Sequence, residues 1–78
     1  MAEVLLVEDD ATLVMSLEMT LQAHGHTVRV CRRLTEARTA LAGGLPDLLL
    51  LDLGLPDGDG LSLCQELRDQ GAITPILM

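Results

Sequence analysis

Asp52 closes the all-aliphatic run Leu48-Leu49-Leu50-Leu51 and opens the loop Leu53-Gly54-Leu55-Pro56-Asp57-Gly58-Asp59-Gly60. A second acidic group, Glu8-Asp9-Asp10, follows a second aliphatic run, Val4-Leu5-Leu6-Val7. Short runs of this kind read as strands buried on both faces, the habit of parallel sheets. Open α/β sheets place their ligands at the carboxyl ends of such strands. If the two strands are neighbours, Glu8, Asp9 and Asp52 converge at one edge. Converging carboxylates repel unless a cation or a shared proton compensates. The chemistry expected is therefore a cation site centred on Asp52.

The elements that must position these acids alternate along the chain. Asp10 is a good N-cap for a helix from Ala11 to His24, with Leu13, Val14, Leu17 and Leu21 on its inner face and Gly25 ending it. Thr27 to Cys31 alternates and is β-branched, so a short strand is expected. Leu34 to Ala42 carries Leu34, Ala37 and Leu41 at helical spacing and stops at Gly43-Gly44; Pro46 then introduces the leucine strand. A third helix is expected from Gly60 to about Gln70, with Leu61, Cys64 and Leu67 inward and Gly71 at its end. Ile73 to Met78 reads as a fourth strand. The order β-α-β-α-β-α-β implies an α/β fold with a parallel sheet and right-handed crossovers.

Composition narrows the rest. Seventy-eight residues hold one small domain, and 49% hydrophobic content without any Phe, Tyr or Trp requires an aliphatic core. The formal charge is −7, from 12 acidic residues against 5 basic ones, all Arg. Phosphate backbones are bound by Lys and Arg, so direct nucleic-acid binding by this segment is disfavoured and divalent cations are favoured. Arg29, Arg32, Arg33, Arg38 and Arg68 are too scattered for a basic patch. Cys31 and Cys64 lack CxxC spacing and read as reduced thiols of the cytosol. With no signal peptide and no apolar run near ~18 residues, a cytoplasmic chain away from membranes is expected.

Taken together, Leu5-Leu6-Val7-Glu8-Asp9-Asp10, Pro46-Asp47 leading through the leucines to Asp52, Pro56, Asp59-Gly60 and Thr74-Pro75-Ile76-Leu77-Met78 resemble the receiver domain of bacterial two-component response regulators. The motif Leu-Pro-Asp-Gly-Asp-Gly behind Glu-Asp-Asp looks most like the OmpR/PhoB subfamily, with Leu55 where the family usually has Met. The resemblance implies a flavodoxin-like (CheY-like) fold, with residues 1–78 forming the N-terminal portion of the domain. It implies Asp52 as phosphoacceptor for a sensor histidine kinase. It also implies Mg²⁺ held by Glu8, Asp9, Asp52 and the Gly54 carbonyl, Pro56 stiffening the loop, and Gly60 letting the third helix start close by. Output by a DNA-binding domain elsewhere in a full-length regulator follows from the same resemblance. On this reading the chain ends in the fourth strand, short of the family's Thr or Ser beyond that strand and of a Lys at the end of the fifth; the sequence contains no Lys. The face around Val4, Leu6, Leu49 and Leu51 would then be covered by the first helix alone. The fourth strand would form an exposed edge suited to self-association.

Other readings compete. The acids could be ordinary surface groups at strand ends. Asp57 and Asp59 suggest an EF-hand, but the remaining ligands and the Gly are out of place. They also suggest an Asp-x-Asp phosphatase pair, which belongs directly on a strand end. His24 and His26 are expected at the surface around Gly25. At the level of function, the alternatives are a non-signalling structural or dimerising fragment and an Asp-nucleophile phosphatase.

Overall fold

The computed structural model describes residues 2–52 and 54–77. The two aliphatic runs lie side by side at the centre of a parallel sheet. Strand β1 (Glu3–Val7) pairs with β3 (Leu48–Leu51) in the register Val4↔Leu48 to Val7↔Leu51. β2 (Thr27–Cys31) flanks β1 on the other side, and Ile76–Leu77 pairs beside β3. Between them in the chain come helices α1 (Ala11–Ala23) and α2 (Leu34–Ala42). Next is a small antiparallel ladder of β4 (Gly54–Leu55) and β5 (Gly58–Asp59), then helix α3 (Gly60–Asp69). Ile76–Leu77 is therefore β6, and the sheet order is β2-β1-β3-β6. The two-residue strands β4 and β5, inside what the sequence presents as a loop, are an addition to the expected order.

Alternation along the strands divides the apolar residues between two faces. Leu5, Val7, Leu49 and Leu51 join Leu34, Ala37 and Leu41 of α2 and Leu63 and Leu67 of α3 in one core cluster. On the opposite face, Leu6 and Leu50 line a groove of about 460 Å³ with Leu13 and Leu17 of α1 and with Leu77. The grouping of Leu49 and Leu51 with Val4 and Leu6 is thus corrected. The register sets Leu48 and Leu50 opposite Val4 and Leu6, and a strand's side chains change face at every residue.

Three further expectations shift. On α3 Leu67 is buried and Cys64 packs against the core as expected, whereas Leu61 is 52% exposed and Gly60 and Leu63 complete the buried face. Leu13 is likewise exposed, leaving Val14 as the buried residue of α1. The fourth sequence strand is shorter than Ile73 to Met78: Ile73 is 92% exposed and pairing begins at Ile76, while Met78 lies outside the described residues. His26 is half-buried, its Nδ1 accepting the Ala2 N–H at 3.0 Å. Cys31 and Cys64 are not joined in a disulfide.

These placements predict opposite outcomes for two leucines. Leu49→Ala removes a side chain with 0% exposure between β3 and the α2/α3 layer. It should cost about 2–5 kcal/mol, a large part of the ~5 kcal/mol available to a small domain. Leu61→Ala should change stability by no more than about 0.5 kcal/mol. Denaturant midpoints of the two variants check the assignment; equal losses would contradict it.

Candidate functional site

The acids meet because the ladder hydrogen bonds run past the strands and up to the acids themselves. The Asp52 N–H donates to the Val7 carbonyl at 2.9 Å, and the Glu8 N–H donates to the Cys31 carbonyl at 3.0 Å. β1 therefore delivers Glu8 and Asp9, and β3 delivers Asp52, at the same edge of the sheet. One carboxylate oxygen from each of Glu8, Asp9 and Asp52 lies within 4.8 Å of the others. Asp10 stands apart from this group. Its Oδ1 accepts from the Thr12 and Leu13 N–H groups at 2.9 and 3.1 Å, the N-cap role its position suggested.

Glu8 is 8% exposed, Asp52 half-buried and Asp9 exposed. Burial, followed by the charge and side-chain contact of Asp52 and the charge of Asp9, holds the Glu8 carboxyl above its ordinary value. The Asp10 N–H, which donates to Glu8 Oε1 at 3.3 Å, pulls the other way. The sign follows directly. A carboxyl that holds its proton more tightly folded than unfolded favours folding below its unfolded pKa and withdraws that support as pH rises through the folded one. Above its folded value the ionised group works against the fold.

The donor set suits Mg²⁺. Hard carboxylate oxygens match its preference, and opposite ligands of an octahedral ion stand ~4.2 Å apart, so small adjustments or an intervening water would bring all three acids to one ion. Gly54 adjoins the site: its N–H donates to Asp52 Oδ1 at 3.2 Å. Pro56 occupies the turn between β4 and β5, where its fixed φ suits the second position of a turn. Gly60 is buried as the first residue of α3.

Asp57 and Asp59, candidates for competing motifs, serve helices. Asp59 Oδ1 caps α3 through the Leu61 N–H at 2.9 Å. Asp57 caps α2, taking the Leu34 and Thr35 N–H groups at 2.8 and 3.1 Å, and these bonds hold its carboxyl below the ordinary value. No local pattern marks that role, because Asp57 stands 23 residues from Leu34, whose N–H it caps.

The response regulator receiver domain model matches residues 4–78. The chain belongs to the response regulator receiver domain family. Among its relatives, the virulence transcriptional regulatory protein PhoP of Salmonella typhimurium is 44% identical over all 78 residues. The chain spans about a third of the length of such curated relatives, 35% for this one. A response regulator from Chloroflexus aurantiacus superposes with a TM-score of 0.92 at 37% identity, over 99% of this chain and 65% of that one. The BeF₃-activated receiver domain of Klebsiella pneumoniae RstA gives 0.81 at 38%, over 87% and 58%. Thermotoga maritima TrrA, solved with Mg²⁺ and BeF, gives 0.83 at 28%, over 90% and 61%. Among the described residues no helix is long and apolar enough to cross a membrane.

If Glu8, Asp9 and Asp52 form one cation site, Mg²⁺ titrated into the labelled chain should move the amide resonances of residues 8–10 and 52–55 most. Asp52→Asn should weaken binding clearly and Asp59→Asn should leave it unchanged. Shifts spread evenly over the acidic surface would refute the site.

Proposed function

We propose that this receiver domain accepts a phosphoryl group on Asp52 from the phosphohistidine of a sensor histidine kinase, in a Mg²⁺-dependent step of a two-component phosphorelay. The observation that carries the reading is the meeting of Glu8, Asp9 and Asp52 at the carboxyl edge of β1 and β3. One Asp52 carboxylate oxygen attacks phosphorus and forms the O–P bond. The P–N bond to the histidine breaks, and its electron pair returns to the imidazole nitrogen. Asp52 thus acts as a covalent nucleophile. Glu8, Asp9, Asp52 and the Gly54 carbonyl would hold Mg²⁺, which when bound neutralises charge on the transferring group. Water later attacks the phosphorus, and the Asp52 carboxylate leaves.

The relatives' names and the two solved structures of response regulator proteins with BeF₃ or Mg²⁺-BeF support the reading. On the same basis the whole protein is proposed to act in the cytoplasm and to regulate transcription through a DNA-binding domain outside these 78 residues. The β6 edge, with Leu77 exposed, is the proposed surface for pairing two copies of this chain. Asp57 and Asp59 are committed to helix caps, so no observation favours a phosphatase pair.

Acetyl phosphate with Mg²⁺ should place one base-labile phosphoryl group on the 78-residue chain, at low yield. The added charge would face Glu8 and Asp9 with no Lys anywhere in the sequence. Intact-mass measurement should show the adduct disappearing in Asp52→Asn and on Mg²⁺ removal. An adduct that survives Asp52→Asn would overturn the assignment.

A further inference from the structure

The loop carrying the acceptor is fastened at its far end to a helix that contributes nothing to the acid cluster. Helix α2 begins at Leu34 behind Arg33, which sits in extended conformation and offers no side-chain cap. The first-turn N–H groups of α2 are served by Asp57 instead, both carboxylate oxygens being engaged, at 2.8 and 3.1 Å. An ionised carboxylate on a helix N-terminus makes charge-assisted bonds in the favourable direction of the helix dipole.

A second contact fixes the same point. Gly58 has φ +153°, and a Cβ there would lie 2.9 Å from Leu34 Cδ1. Leu34 is 1% exposed and packed in the core, so it has little room to retreat. Leu55, on the partner strand of the ladder, is buried in that core too. The β4–β5 hairpin has only two residues per strand, too few to hold its own shape. Its position is therefore set by what it is fastened to. From the hairpin's other end, the Gly54 N–H reaches Asp52 Oδ1 at 3.2 Å. A short path thus runs from the first turn of α2 through Asp57, the ladder and Gly54 to the Asp52 carboxylate. The Arg38–Glu66 ion pair, closest at 2.7 Å, ties α2 in turn to α3.

We propose that Asp57 is a positioning residue for phosphoryl acceptance, holding the β4–β5 hairpin on the first turn of α2 and thereby setting where Gly54 stands against Asp52. The proposal rests on the reading of Asp52 as the acceptor. Its consequence is that displacement of the α2 N-terminus is felt at the acceptor carboxylate. A cap that served only α2 would stabilise the helix and leave the chemistry alone.

The test compares Asp57→Ala, Asp57→Asn and Asp47→Ala in the 78-residue chain, with Asp52→Asn run in parallel. Asp47 Oδ2 accepts the Glu3 N–H at 2.8 Å where β1 and β3 begin, so its loss removes a similar backbone contact far from the acceptor. Phosphorylation by acetyl phosphate with Mg²⁺ is followed by mass at a temperature where each variant is folded, and the Gly54 amide resonance is recorded without Mg²⁺. Asp57→Ala should lower the maximal rate about tenfold, the scale expected when a reacting group is misplaced, and should shift or broaden the Gly54 resonance. Asp57→Asn keeps an acceptor oxygen without the charge and should recover most of the rate. Asp47→Ala should match the unsubstituted chain. Asp57→Ala reacting at the full rate, or slowed no more than Asp47→Ala, would overturn the positioning role alone. Labelling that persists in Asp52→Asn would instead overturn the acceptor reading on which it rests.

Discussion

The hydrogen bond from the Asp52 amide to the Val7 carbonyl fixes everything else at the site. At 2.9 Å it is the last rung of the β1–β3 ladder, and it sets the residue after β3 beside the residue before Glu8. A slip of one residue would carry Asp52 ~3.3 Å along the strand and turn every leucine of β3 to the wrong face. Leu49 and Leu51 would lose the α2/α3 core, and Asp52 would leave Glu8 and Asp9. The same apolar packing that determines the fold therefore determines the acid cluster.

That arrangement carries an electrostatic cost. Glu8 is buried beside Asp52, and no cationic side chain is paired with either among the described residues. The described ion pair joins Arg38 to Glu66 across α2 and α3. On the proposed reading, a cation bound there would offset the repulsion and so couple metal binding to the stability of a small domain. The aliphatic sheet core offsets the repulsion, and the leucine runs flanking the acids supply it.

Much of this was legible in the sequence because its signals are local. Four consecutive leucines before Asp52, and Val4 to Val7 before Glu8, mark strands and their ends. Asp10 announces its own helix, and Gly25, with φ +84°, takes the left-handed turn expected after it. What escaped were relations between distant residues. Asp57 caps a helix lying earlier in the chain, and neither end of that contact has a signature of its own. The two-residue ladder of β4 and β5 is too short to show alternation. On α3 Cys64 and Leu67 face the core as their spacing indicates, but Gly60 has no side chain to mark where the buried face begins, and Leu61, next in sequence, is exposed. A run of identical leucines likewise carries no mark of which residues point to which face of the sheet, and only the pairing of Leu48 with Val4 decides it.

The central claim is that three carboxylates are forced together by strand register and that a cation offsets their repulsion. Thermal unfolding of the chain and of Asp52→Asn, each with and without Mg²⁺, tests it most directly. The account predicts that without divalent ions Asp52→Asn unfolds at a higher temperature than the unsubstituted chain, and that Mg²⁺ raises the midpoint of the unsubstituted chain but not of the variant. A variant less stable without Mg²⁺, or one stabilised by Mg²⁺ to the same degree, would contradict it.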